Sequence, residues 1–182
     1  MIDLYQTQTN ALLADQMGLG KTIQAMSFLA YMKDKLKIRG KFLIIAPLST
    51  VGNWKQELDR WLPSLETVVL YNTQEARDEC LLKSVIPGKF DVLITSYGGS
   101  STCLNYLRKW TFECFILDEA HMIKNVKSSL NKDLRRIKSN WKLLLTGTPV
   151  HNNVYELWAL LNFMMPALFQ NEIIFINFFG KG

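Results

Sequence analysis

The chain has 182 residues, of which 48% are hydrophobic and 20% charged, a length that suits one domain burying about 70% of the surface its unfolded chain exposes. Its 21 Lys and Arg against 16 Asp and Glu give a net charge of +5, which fits a polyanionic partner without demanding one. Cys80, Cys103 and Cys114 show no C-x-x-C spacing and, with 2 His, form no zinc pattern, so inert thiols in a reducing compartment and no structural metal are expected. No apolar run approaches the ~18 residues of a membrane span, and no basic segment followed by an apolar one opens the chain. A soluble, intracellular protein with no membrane partner is therefore expected.

Apolar runs alternate with amphipathic stretches throughout, the pattern of a mostly parallel sheet covered by helices on both faces, so the fold class is α/β. Ala11 to Ala14 reads as a short strand, and Thr22 to Lys37 as a helix with Ile23, Met26, Phe28, Leu29 and Met32 apolar. Phe42 to Pro47 is a second buried strand. Ser49 or Thr50 can cap the helix that follows, which carries Val51, Trp54, Leu58 and Trp61 at helical spacing and stops at Pro63. Thr67 to Tyr71 reads as a strand, Gln74 to Val85 as a helix, Pro87-Gly88 as a turn and Phe90 to Thr95 as a strand. Leu104 to Trp110 reads as a short helix, Phe112 to Leu117 as a buried strand and Lys127 to Lys138 as a basic helix. Trp141 to Leu145 is the next strand, and Val154 to Met165 a helix with Leu157, Leu160, Leu161 and Met164 apolar.

In open sheets of this kind, ligands bind beyond the carboxyl ends of the strands. Those ends carry the chemistry. Asp15-Gln16-Met17-Gly18-Leu19-Gly20-Lys21-Thr22 is a glycine-rich turn entering a helix. Gly18 and Gly20 let backbone N–H groups approach phosphate oxygens, Lys21 brings a point charge, and the Thr22 hydroxyl can ligate Mg²⁺. The common phosphate-loop pattern has glycine where Asp15 stands, so the match fails by one residue. Asp118-Glu119-Ala120-His121 follows a buried strand, and its carboxylates suit a metal ligand, Asp118, and a group orienting the attacking water, Glu119. Thr146-Gly147-Thr148-Pro149 ends another strand in a tight turn.

These segments, with Ile45-Ala46-Pro47-Leu48-Ser49-Thr50-Val51-Gly52-Asn53-Trp54, Met122-Ile123-Lys124-Asn125 and Glu156-Leu157-Trp158-Ala159-Leu160-Leu161-Asn162-Phe163, resemble the SWI/SNF-type chromatin-remodelling ATPases of helicase superfamily 2, the imitation-switch subfamily in particular. The resemblance covers nearly the whole chain in order, and in that family an acid at Asp15 is normal. It implies a single helicase ATP-binding domain over residues 1–182, the first RecA-like P-loop lobe of a two-lobed motor that tracks along duplex DNA and moves nucleosomes in the nucleus. By resemblance, Asp15 to Thr22 bind ATP and Mg²⁺, with Lys21, Asp118 and Glu119 carrying hydrolysis and Thr22 and Asp118 at the metal. His121, Thr146, Gly147 and Thr148 couple the nucleotide to lobe movement, and Ser49, Thr50, Ser96, Tyr97 and Lys124 meet DNA phosphates.

Departures from the family are specific. Gln16 replaces a glutamate, Met122 an arginine and His151 a glutamine, each at a position tied to phosphates or coupling. The chain is expected to be truncated at both ends: the adenine-recognising glutamine motif lies upstream of the segment resembling Leu4-Tyr5, Gln6 and Gln8 are too close to the loop to replace it, and the second lobe with its arginine finger is missing. The tail from Ile173 to Phe179, broken only by Asn177, is apolar where the family is more polar. Two further readings stay open, a non-catalytic nucleotide- or DNA-binding regulatory module and a P-loop ATPase unrelated to DNA.

Overall fold

The computed structural model describes residues 1–16, 18–70, 74–85, 88–147 and 153–180. Strands β1 (Ala11–Leu13), β2 (Phe42–Ala46), β3 (Thr67–Leu70), β4 (Val92–Ser96), β5 (Thr111–Leu117) and β6 (Lys138–Leu145) form one sheet in the order β1-β6-β5-β2-β4-β3. Every pairing in it is parallel, with Ile44 opposite Ile94 on one side and Ile116 on the other. Parallel strands covered on both faces must be apolar throughout, and β2 meets this with all five residues buried.

The path of the chain decides which helix covers which face. From β1 to β2 to β3 it advances across the sheet, and the connecting helices α2 (Lys21–Asp34) and α3 (Leu48–Trp61) lie on one face, where Met26, Leu29, Met32, Trp54 and Leu58 meet Phe42, Ile44 and Ile116. From β3 back through β4 and β5 to β6 it returns, and the connections lie on the other face, where Leu81, Leu107 and Leu134 meet Leu43, Ile45, Phe115 and Leu144. Right-handed crossovers impose this division. The returning connections are α4 (Gln74–Cys80), α5 (Tyr97–Thr102), α6 (Leu104–Leu107) and α7 (Ser129–Arg135). After β6, α8 (Val154–Met164) packs on that second face through Leu160 and Phe163, and α9 (Glu172–Phe179) docks on α8 through Phe175.

The expected fold class holds, and the differences are local. A helix α1 (Ile2–Gln6), absent from the sequence reading, precedes β1 and stacks Tyr5 edge-on against Phe28 and Trp141. The helix after β3 is α-helical only to Cys80 and continues as a π-helical turn over Leu81–Val85, which turns Leu81 and Val85 into the core. The basic helix is shorter than Lys127 to Lys138 because β6 begins at Lys138, where pairing with Thr111 of β5 claims the backbone. Among the described residues, no helix is long and apolar enough to cross a membrane.

Candidate active site

Five segments of this sequence bring polar groups to the carboxyl edge of the sheet. After β1 the backbone turns through Gly18 (φ 83°) and Gly20 (φ 75°), and Gly20 is the residue from which α2 starts. Both angles lie in the region that a Cβ disfavours, so glycine here is a conformational requirement. The Lys21 ammonium is held by the carbonyls of Asp15 at 2.9 Å and Gln16 at 3.0 Å, partners that an anionic oxygen can replace. Gln24, one turn into α2, donates to the Asp15 carboxylate at 3.3 Å and to the Leu19 carbonyl at 3.4 Å, bracing the loop from inside. Met17 lies outside the described residues.

At the end of β5, Asp118 is buried and Glu119 half-buried. Asp118 Oδ2 accepts the indole N–H of Trp54 at 2.9 Å, and Oδ1 accepts the backbone N–H of Glu119 at 3.0 Å. Burial pushes the Asp118 carboxyl above its ordinary value, with the Glu119 charge adding to this and the Trp54 donor, the Glu119 amide and the Lys21 charge opposing it. Glu119 itself sits at φ 50°, ψ 55°, an uncommon conformation for a side chain with a Cβ. The Tyr97 hydroxyl holds this turn by donating to the carbonyl of Asp118 at 2.6 Å, with the Glu119 carbonyl at 3.4 Å.

Gly18, Gly20, Lys21, Thr22, Asp118 and Glu119 line one cleft of about 390 Å³, together with Thr50, Asn53 and Glu57 of α3 and Ile23 of α2. Residues almost a hundred positions apart in the chain are thereby assembled. Among the described residues no group of three His, Cys, Asp or Glu could enclose a metal. The donors actually present, one hydroxyl from Thr22 and one carboxylate from Asp118, are the set a magnesium ion uses when ligand phosphates and water complete its shell.

Other expected site residues fall around this cleft in different states. His121 Nδ1 lies 3.2 Å from Glu119 Oε2 but out of hydrogen-bond alignment. Thr146 is buried, and its amide donates to the Leu13 carbonyl at 3.1 Å, tying the end of β6 to the end of β1. Gly147 follows it, half-buried, while Thr148, Pro149 and His151 lie outside the described residues. Lys124 is exposed, 3.7 Å from Glu156 on α8.

Two expectations need correction. Neither Ser49 nor Thr50 caps the helix after β2: α3 starts at Leu48, with Pro47 in the cap position two residues before Ser49, and the Thr50 hydroxyl donates back to the Pro47 carbonyl at 3.0 Å. Ser49 is left exposed. The side chains of Ser96 and Tyr97 do not lie open to DNA phosphates: Ser96 caps α5 by accepting the Gly99 amide at 3.0 Å, and both side chains are buried. The outward position of that segment is Gly98, so a phosphate reaching it meets backbone before either side chain. The roles of Trp54 and Tyr97 toward the acidic pair were not foreseen. Trp54 sat in an apolar helical pattern, and nothing local distinguishes a core indole from one whose N–H has a carboxylate partner.

Comparison with known proteins agrees with this geometry. The family model described as the SNF2-related domain matches residues 1–181. The ISWI chromatin-remodeling complex ATPase ISW2 of Saccharomyces cerevisiae is 41% identical over 181 residues, covering 100% of this chain and 16% of that protein. Its counterpart ISW1 from the same organism is 44% identical, with the same coverage. Among solved structures, the Sulfolobus solfataricus SWI2/SNF2 ATPase core in complex with dsDNA superposes with a TM-score of 0.82 at 30% identity, over 97% of this chain and 36% of that one. The chain thus spans about a sixth of the length of the curated relatives it matches.

Proposed function

The chain belongs to the SNF2-related domain family, and from that premise we propose that it is the ATP-binding lobe of a DNA-dependent, DNA-translocating chromatin-remodelling ATPase. The observation that carries the reading is the single cleft in which Gly18, Gly20, Lys21 and Thr22 face Asp118 and Glu119. In it the amides of the glycine turn and the start of α2 receive the phosphates, and Lys21 exchanges its two carbonyl partners for an anionic oxygen. Thr22 and Asp118 are the residues that would hold Mg²⁺, which would supply neutralisation of phosphate charge. Glu119, presented by its left-handed turn, accepts a hydrogen bond from the attacking water and aims it at the terminal phosphate.

The first turns of α3 and α5, at Pro47–Thr50 and Ser96–Gly98, follow β2 and β4 at the same edge of the sheet and meet the phosphates of duplex DNA, with Ser49 and the Gly98 backbone as their accessible groups and Lys124 as a further exposed cation. That a solved relative is an ATPase core bound to dsDNA supports this. The lobe is a single domain that acts with a second RecA-like lobe, in the nucleus and on nucleosomes; that relatives are named chromatin-remodeling complex ATPases supports an action on chromatin. Alone it turns over little, because an arginine supplied from outside such a site contributes about 10³ to 10⁵ in rate in related phosphoryl-transfer enzymes.

Nucleotide binding and phosphate release, each measured with and without duplex DNA, test the reading. The expected result is ATP binding that falls at least about tenfold in Lys21→Ala, the order of one lost charge-assisted contact, with little DNA-stimulated release. No nucleotide binding by the wild-type chain overturns the site. Strong DNA-stimulated hydrolysis abolished by Lys21→Ala overturns the dependence on a second lobe.

A further inference from the structure

Asp118 is the residue of the cleft whose surroundings are most fully specified. Its carboxylate offers about four lone-pair directions, of which the Trp54 indole and the Glu119 amide each take one from opposite oxygens. The others remain for the cleft that Asp118 lines. Trp54 is 1% exposed and wedged among Val51, Leu58 and the face of β2, β4 and β5, so its ring has no freedom to follow a moving carboxylate. An indole is also a donor without charge. A lysine or arginine there would orient Asp118 equally well but neutralise it, in competition with any cation in the cleft.

The backbone of the same pair is fixed from the other face of the sheet. Tyr97 is 6% exposed and donates to the Asp118 carbonyl, which pins the turn that holds Glu119 at φ 50°. Side chain and main chain of the acidic pair are therefore held by two residues from two helices, α3 and α5, that pack on opposite faces of the sheet.

We propose that Trp54 is the positioning residue that orients Asp118 toward the metal of a bound metal–nucleotide complex, with Tyr97 holding the turn it stands on. The inference rests on the nucleotide reading of the cleft and adds a residue to it. Donors that orient a metal-ligating side chain typically change metal affinity by about 10- to 100-fold when removed, and the effect belongs to the metal-dependent part of binding.

The test is a titration of a fluorescent ATP analogue into the full chain in EDTA and at a series of Mg²⁺ concentrations. Trp54→Phe should raise the Mg²⁺ concentration that half-saturates the metal-dependent gain by about 10- to 100-fold, leaving binding in EDTA as in the wild type. Trp141→Phe is the control for loss of a buried indole: Trp141 is equally buried, but its N–H donates to the Thr9 carbonyl, outside the cleft, and its Mg²⁺ requirement should match the wild type. A folded Trp54→Phe chain with an unaltered Mg²⁺ requirement overturns the proposal, as does an equal rise in Trp141→Phe. If Trp54→Phe does not melt cooperatively, Tyr97→Phe, which removes one hydroxyl, decides: a higher Mg²⁺ requirement supports the proposal and an unchanged one overturns it. Absence of binding by the wild type both in EDTA and at the highest Mg²⁺ concentration is the failure of the nucleotide reading instead.

Discussion

Single residues at the two ends of the sheet have opposite electrostatic tasks. At the carboxyl edge burial raises the Asp118 carboxyl, and the Trp54 donor, the Glu119 amide and the Lys21 charge offset only part of that rise. At the amino edge Asp91, just before β4, serves the fold: Lys33 in the last turn of α2 reaches it at 2.7 Å, and its other oxygen accepts the Glu66 amide at 3.0 Å. Burial alone would raise the Asp91 carboxyl, but the Lys33 ammonium and the Glu66 amide outweigh it and hold the group below its ordinary value. A carboxylate depressed in the folded state stabilises the fold above its unfolded pKa of about 3.9 and loses that contribution as pH falls through the lower folded value. Asp91→Asn should therefore lower unfolding free energy by about 1 kcal/mol at pH 7, with the difference from wild type closing on acidification through the carboxylate range. Chemical denaturation across that range checks it. Neither pair was legible in the sequence, because Lys33 and Asp91 are 58 positions apart and Trp54 and Asp118 are 64 apart. Lys21, Asp118 and Glu119 were legible, since the glycine turn and the strand-terminal acids are local patterns. Tyr97 was read as a DNA contact, but its hydroxyl turned inward to a carbonyl that no local pattern announces.

Among the elements, the strands were the easiest to anticipate because a doubly covered parallel strand is apolar along its length, as in β2 and in β5 from Cys114 to Leu117. The boundaries that shifted are those that backbone partners decide: Pro47 caps α3, pairing with Thr111 lengthens β6, and Ser96 caps a helix, α5, that the periodicity did not announce. The α9 helix shows what composition alone leaves open. One residue, Phe175, anchors it to Trp158 and Ala159, while Ile173, Ile174, Phe178 and Phe179 are exposed, Phe178 to 78%. An apolar patch of this kind promotes self-association. Replacing Ile174 and Phe178 together by Glu should reduce concentration-dependent association in sedimentation velocity without lowering the melting temperature, since neither side chain is buried. Phe175→Ala should instead release α9 from α8 and lower stability by about 2 to 3 kcal/mol, near or below the lower end of buried Phe truncations because the cluster is small and partly open.

For the whole molecule, a charge of +5 is modest for a nucleic-acid partner, so the proposed DNA contact rests on a short row of backbone contacts along one sheet edge. A site neutralising about three phosphates loses roughly forty-fold in affinity between about 50 and 200 mM salt, and does so for any base sequence. Fluorescence anisotropy with two unrelated duplexes over that range should show this slope for both; a salt-independent or sequence-selective complex contradicts backbone contact.

The sheet order carries one more consequence. The phosphate loop hangs from β1, three residues long and paired on one side only, to β6. Such a margin is where a fold opens first, whereas the acids on β5 are rooted in the middle of the sheet. A nucleotide gripping Lys21 and Asp118 together would link an edge strand to a central one, so part of its binding energy would appear as added protection of that edge.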